Sequence, residues 1–139
     1  MCTSNIPVNF KTTVASAVPK NLIDLFSKDP YVGGKFDASL SSRKAVLILF
    51  KSIPVGFFVP KTTDGYYRLL YLYIDPVFRK RGFATSTIKH FTKNIFSKAW
   101  IAVSNIPSQK TFEKAGFFRI LEEKDIRGNV VAYIYYKDE

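Results

Sequence analysis

The chain has 139 residues, 47% of them apolar and 16% aromatic, enough for one packed domain (1–139) and too few for a second. One cysteine, Cys2, excludes an intramolecular disulfide, and one histidine, His90, excludes a histidine-rich metal centre, so no metal is expected. No apolar run reaches the roughly 20 residues of a membrane span, and the first residues show no signal-peptide pattern, so the expectation is a cytoplasmic protein with no membrane partner. The net charge of +10 admits nucleic acid or a phosphorylated cofactor as a partner, and equally a basic solvated surface.

Val8–Val14 reads as a first strand. Pro19 then opens a helix, Lys20–Ser27, that turns Leu22, Ile23, Leu25 and Phe26 inward. Lys28–Lys44, with Asp29-Pro30 and Gly33-Gly34, reads as a loop with room for one helical turn. Ala45–Lys51 and Val55–Val59 form a hairpin, and Thr62–Gly65 turns the chain into a long strand, Tyr66–Asp75. Strict alternation puts Tyr71 and Tyr73 on one face of that strand, opposite Leu70, Leu72 and Ile74.

After Pro76 the period changes. Ala84, Ile88, Phe91 and Ile95 recur at helical spacing and predict an amphipathic helix over Gly82–Ser97. Ala99–Val103 is a short apolar strand. Asn105 caps a helix to Lys114, with Pro107 in its first turn and Gly116 past its end. Phe117–Glu122 and Val130–Lys137 are the last strands, turned at Asp125–Asn129. Aromatic strand edges near Tyr133–Tyr136 would allow pairing between two copies of the chain.

The chemistry concentrates in Ile74-Asp75-Pro76-Val77-Phe78-Arg79-Lys80-Arg81-Gly82-Phe83-Ala84-Thr85. A strand ends, a basic turn follows, and a helix begins. The first turn of a helix offers unpaired N–H groups and the positive end of its dipole. Gly82 and Ala84 are small enough for an anion to reach the backbone, and Arg79, Lys80 and Arg81 add charge. A diphosphate cradle and an ordinary solvated helix start are both consistent with these residues alone.

The segment Ile74–Ala84 resembles the acyl-CoA motif of the GNAT superfamily of N-acyltransferases, with Arg79-Lys80-Arg81-Gly82-Phe83-Ala84 as its glycine-containing half. Asn105 and Phe112-Glu113-Lys114-Ala115-Gly116-Phe117 are similar to a second motif of that family, at matching spacing. The resemblance implies a GNAT fold: a mixed sheet of six to seven strands with three to four helices, splayed between the fourth and fifth strands. It implies acetyl-CoA or another acyl-CoA as donor, and an amine of a small molecule or protein as acceptor. It further implies that the backbone around Arg81, Gly82, Phe83, Ala84 and Thr85 holds the diphosphate. Leu72, Ile74, Asn105 and Phe112 would line the pantetheine arm.

The sequence departs from the family at the acid and base. The aromatic position that carries a proton-donating Tyr in many relatives is Phe112. Neither the long strand nor Ala99–Val103 holds the Glu that serves many relatives as base. Tyr73 and Tyr71 are the remaining candidates for catalysis, with cross-strand packing as their ordinary role. Asp75 at the strand end and the surface-facing His90 are weaker ones. Two further readings stay open: nucleic-acid-directed modification or binding, from the charge, and a non-catalytic cofactor-binding module, from Phe112.

Overall fold

The computed structural model describes residues 8–29, 43–63 and 65–138; Cys2, most of the expected loop after the first helix and turn residue Asp64 lie outside them. Seven strands form one sheet: β1 (Val8–Val14), β2 (Lys44–Phe50), β3 (Ile53–Thr63), β4 (Tyr66–Ile74), β5 (Ser97–Ala102), β6 (Phe118–Lys124) and β7 (Val130–Lys137). Their spatial order is β1-β2-β3-β4-β5-β7-β6. The first four form an antiparallel meander, β4 and β5 are parallel, and β5, β7 and β6 are antiparallel. Three helices are described, α1 (Lys20–Lys28), α2 (Phe83–Thr92) and α3 (Ile106–Lys114). This is the expected mixed α/β architecture.

The apolar periodicities decide which face each helix covers. Leu22 and Phe26 of α1 pack with Ala45, Leu47, Phe57, Val59 and Tyr73 on one face of β2–β4. On the other face Ile88 of α2 and Phe112 of α3 pack with Ala99, Ile101 and Tyr135, while Phe83 packs with Ile48, Val55 and Ile74. Helix α2 is shorter than its apolar stripe predicts. Asn94 adopts φ 58°, the left-handed conformation that stops a helix. Ile95 is thereby thrown outward to 43% exposure, and β5 starts at Ser97.

The sheet edge is also corrected. Strand β7 lies between β5 and β6, so Tyr133–Tyr136 form no edge. Strand β6 is the terminal strand, exposed along its whole length.

One irregularity shapes the sheet more than any helix. Phe57 pairs with Tyr73 and Val59 with Leu70, so Phe58 faces two residues, Tyr71 and Leu72. Tyr71 has φ 56°. This is a β-bulge, which bends a strand and increases its twist. Beyond it, β4 leaves β5: the only register pair between them is Tyr67 and Ser97. The predicted splay between the fourth and fifth strands therefore has a local cause. The bulge also corrects the alternation. Tyr71 and Tyr73 do share the α1 face, but Leu70 packs there with them, while Leu72 stays on the other side.

Gly56 allows the bulged strand to sit against β3. A Cβ there would meet the Tyr73 carbonyl oxygen and, at 2.7 Å, the Ile74 Cδ1. Gly56→Ala should therefore cost about 1–3 kcal/mol, measured by urea denaturation. Unchanged stability would contradict this close approach.

Tyr135, fully buried, donates its hydroxyl proton to Glu113 Oε2 at 2.9 Å and so ties β7 to α3. Burial first, then the Glu113 carboxylate, pushes this phenol up to about 12, and burial alone does the same to Tyr67. The unfolded chain ionises both near 10. Their folded-state stabilisation is complete below pH 10 and falls as pH rises towards 12. Thermal unfolding across pH 9–12 should show a falling midpoint, with a smaller fall in Tyr135→Phe. An equal fall in that variant would contradict the assignment.

Candidate active site

The junction of β4 and α2 is built as a sequence of stops and turns. Asp75 Oδ1 accepts the Val77 N–H at 3.0 Å and holds the short turn Pro76–Phe78. That role occupies the carboxylate locally. Lys80 has φ 64° and Gly82 φ 81°, so the chain reverses twice within three residues before α2 begins. Gly82 is the N-cap of α2, and no side chain caps the first turn. The backbone donors of that turn thus point to a small, uncapped entrance, as an anion site requires.

The three basic residues of the turn do different things. Arg79 Nε donates to the Ile74 carbonyl at 2.8 Å, its second nitrogen pairs with Asp29 at 3.2 Å, and its guanidinium lies 5.0 Å from the Tyr73 ring centre. It clamps the end of β4 to the end of α1. Arg81 is exposed and lies over Phe78 at 5.3 Å. Lys80 borders the cleft. Of the hydroxyls after the glycine, Thr87 is buried and donates to the Phe83 carbonyl at 2.8 Å, so it serves the helix.

A cleft of about 630 Å³ opens here, between the β4–α2 junction and α3. Leu72, Ile74, Arg79, Lys80, Gly82, Phe83, Ala84, Thr85, Asn105 and Phe112 all line it, and so does Tyr73; Arg81 does not. The structure thus brings ten of the eleven cofactor candidates to one cavity. A second cavity, of about 570 Å³, occupies the gap between β4 and β5 and shares Leu72, Asn105, Ser108 and Phe112 with the first. Tyr71 lines this second cavity. His90 is exposed and stacks against Phe10 and Phe91, each 4.8 Å between ring centres, and lines neither cavity.

Asn105 Oδ1 accepts the Ser108 N–H at 3.2 Å, as the cap reading requires, while its side chain borders both cavities. Its Nδ2 has no acceptor among the described residues. The sequence reading missed Gln109. It is buried, and its Nε2 donates to the carbonyls of Ala102 and Val103 at 3.2 and 3.0 Å, fixing α3 to the end of β5. A lone buried-facing Gln in a polar helix gave no signal of that.

The electrostatics leave a narrow choice of acid and base. Phe112 is buried edge-on against Phe117 at 5.0 Å and carries no proton to give. Among the described residues the only carboxylate lining either cavity is Asp29, which is paired with Arg79. Tyr73 is buried, and burial is the main reason that its phenol is raised above the ordinary tyrosine value. It can donate a proton at neutral pH but cannot act there as a base.

No protein-family model and no curated protein matches the sequence. Solved structures do match in shape. A GNAT-family acetyltransferase from Streptococcus pneumoniae superposes at TM-score 0.71 with 11% identity, over 94% of this chain and 98% of that one. NAA60 of Arabidopsis thaliana, in complex with a bisubstrate analogue, gives 0.71 with 13% identity, over 94% and 97%. An aminoglycoside acetyltransferase in complex with coenzyme A gives 0.68 with 12% identity, over 91% and 93%. At these identities the likeness concerns architecture: the chain has the GNAT fold.

Proposed function

We propose that this protein is an N-acyltransferase that takes an acyl group, most simply acetyl, from acyl-CoA. The observation that carries the reading is the uncapped start of α2 at Gly82, opening into a cleft that continues into the gap between β4 and β5. The neighbours that bind coenzyme A or a bisubstrate analogue share this fold. In this reading the N–H groups from Arg81 to Thr85 receive the donor's diphosphate. The side of Leu72–Ile74 that no longer pairs with β5, apart from the Ile74 carbonyl held by Arg79, and the amide of Asn105 receive its pantetheine arm, much as a sheet edge receives an added strand.

The reaction needs one bond made and one broken. The amine lone pair attacks the thioester carbonyl carbon, the C–N bond forms, and the C–S bond breaks with the electron pair leaving on sulfur. Tyr73 lines the donor cleft and has a proton to give that thiolate, while the proton shed by the amine returns to solvent. Tyr71, on the second cavity, serves the acceptor. Positioning supplies much of the remaining acceleration.

Phe112, and a cavity carboxylate that among the described residues is Asp29 alone and paired with Arg79, favour a second reading, a cofactor-binding module without turnover. Calorimetric titration with acetyl-CoA, paired with thiol release over a broad amine panel, separates the two. Binding with turnover supports the transferase. Binding with none supports the module, and no binding refutes both.

A further inference from the structure

The cavity in the sheet gap has a consistent electrical character. It runs from Asn105, Ser108 and Phe112, on the α3 side, to Arg68, Lys98 and Trp100 on the opposite face. Strand alternation explains the grouping. Ala99 and Ile101 point to the α2–α3 core, so Lys98 and Trp100 point away from it, and the Tyr67–Ser97 register sets Arg68 beside Lys98. Among the described residues two cations line this cavity and no carboxylate does.

Arg68 is held in an unusual way. Its guanidinium lies 4.3 Å from the Trp100 ring centre, and among the described residues it makes no ion pair and no hydrogen bond. Stacking fixes the plane of a guanidinium but leaves its N–H edge unsatisfied, the geometry that grips a carboxylate or phosphate with two parallel bonds. Partial burial lowers its pKa, so water solvates the charge poorly. Lys98 is fixed likewise, 4.4 Å from the Tyr66 ring centre and 4.9 Å from that of Tyr136. Among the described residues both cations are oriented by aromatic faces rather than neutralised by acids.

We propose that the acyl acceptor is an amine that also carries a carboxylate or a phosphate, gripped by Arg68 and Lys98 at the far mouth of the gap. This rests on the acyl-transfer reading above. The same two charges would lower the pKa of the acceptor's ammonium, so more of it is free amine near neutral pH. That supplies a nucleophile where, among the described residues, no carboxylate lines the cavity. It also repels amines whose only other charges are positive, such as polyamines.

The test uses matched amines on the full chain, with and without saturating coenzyme A. Binding is read by ligand-observed NMR, and turnover by thiol release from acetyl-CoA. 4-(Aminomethyl)benzoate is compared with benzylamine, and O-phosphoethanolamine with ethanolamine; spermidine and a single-stranded oligonucleotide are added. At least one amine with an acid group should bind tenfold or more tightly than its partner without one, and the tighter pair tells carboxylate from phosphate. Arg68→Gln should erase that preference, and Lys98→Gln should reduce it, with the acetyl-CoA Kd unchanged in both. Where turnover occurs, Arg68→Gln should raise KM for the anionic acceptor tenfold and move the acidic limb of its kcat–pH profile to higher pH. Equal or tighter binding of the amines without an acid group, or of spermidine, overturns the proposal. So does a preference that survives both variants, or an oligonucleotide that displaces the anionic amines at lower concentration than either binds. Failure of acetyl-CoA to bind removes the transferase reading by a separate measurement.

Discussion

Gly82→Asp is expected to weaken acetyl-CoA binding about a hundredfold, about 2.8 kcal/mol, in a calorimetric titration. Gly82 has φ 81° and opens α2 without a capping side chain. A Cβ there obstructs the approach of a diphosphate, and a carboxylate places negative charge where the donor's own would lie. Asp visits the left-handed region more readily than most residues, so the backbone cost is about 1–2 kcal/mol and the fold should persist. Gly82→Asn separates the two effects, because it has the same shape without the charge. It should bind more tightly than Asp and less tightly than the native protein. Native affinity in Gly82→Asp, with the variant folded by circular dichroism, would refute the cradle.

Tyr73→Phe is expected to lower kcat by roughly a hundredfold, the lower end of what a positioned proton donor contributes, with the acetyl-CoA Kd within a factor of two. The phenyl ring keeps its edge-on contact with Phe26, 5.6 Å between centres, so the α1 face should stay packed. Only the hydroxyl is lost. The native phenol is raised above 10, so its proton-donating form persists through neutral pH and disappears only above that value. The alkaline limb of kcat should therefore not fall below pH 9 through this group. An unchanged kcat would reduce Tyr73 to packing and shift attention to Tyr71 or solvent.

Much of this arrangement was legible in the sequence, for identifiable reasons. Strands β1 and β7 were read to the residue, the first starting after Pro7 and the second bounded by Gly128-Asn129 and Asp138. Arg79–Ala84 and Asn105–Phe117 were read as one site because their spacing matched two motifs, and Arg79, Lys80, Gly82, Phe83, Ala84, Asn105 and Phe112 line one cleft. The splay was expected from resemblance alone. Its cause, the bulge at Tyr71, carries no glycine or proline, so nothing local announced it. The same bulge moved Leu70 to the face that alternation denied it.

Other features are non-local by nature. Arg68 and Trp100 are 32 positions apart and meet only once β4 and β5 run parallel. Arg79 looked like a phosphate ligand beside Lys80 and Arg81, yet its partners are a carbonyl five residues back and Asp29 on another element. The early end of α2 was readable in principle. Asn94 is a residue that tolerates the left-handed conformation, but the continuing apolar stripe at Ile95 outweighed it.

The central claim is that the Gly82 turn and the gap between β4 and β5 form one acyl-CoA site. Its most direct test is a crystal structure with acetyl-CoA. The expected result is the diphosphate within hydrogen-bond distance of the N–H groups of Arg81–Thr85, with the pantetheine arm along Leu72–Ile74. A diphosphate bound elsewhere, or an arm that stays outside the gap, would contradict it.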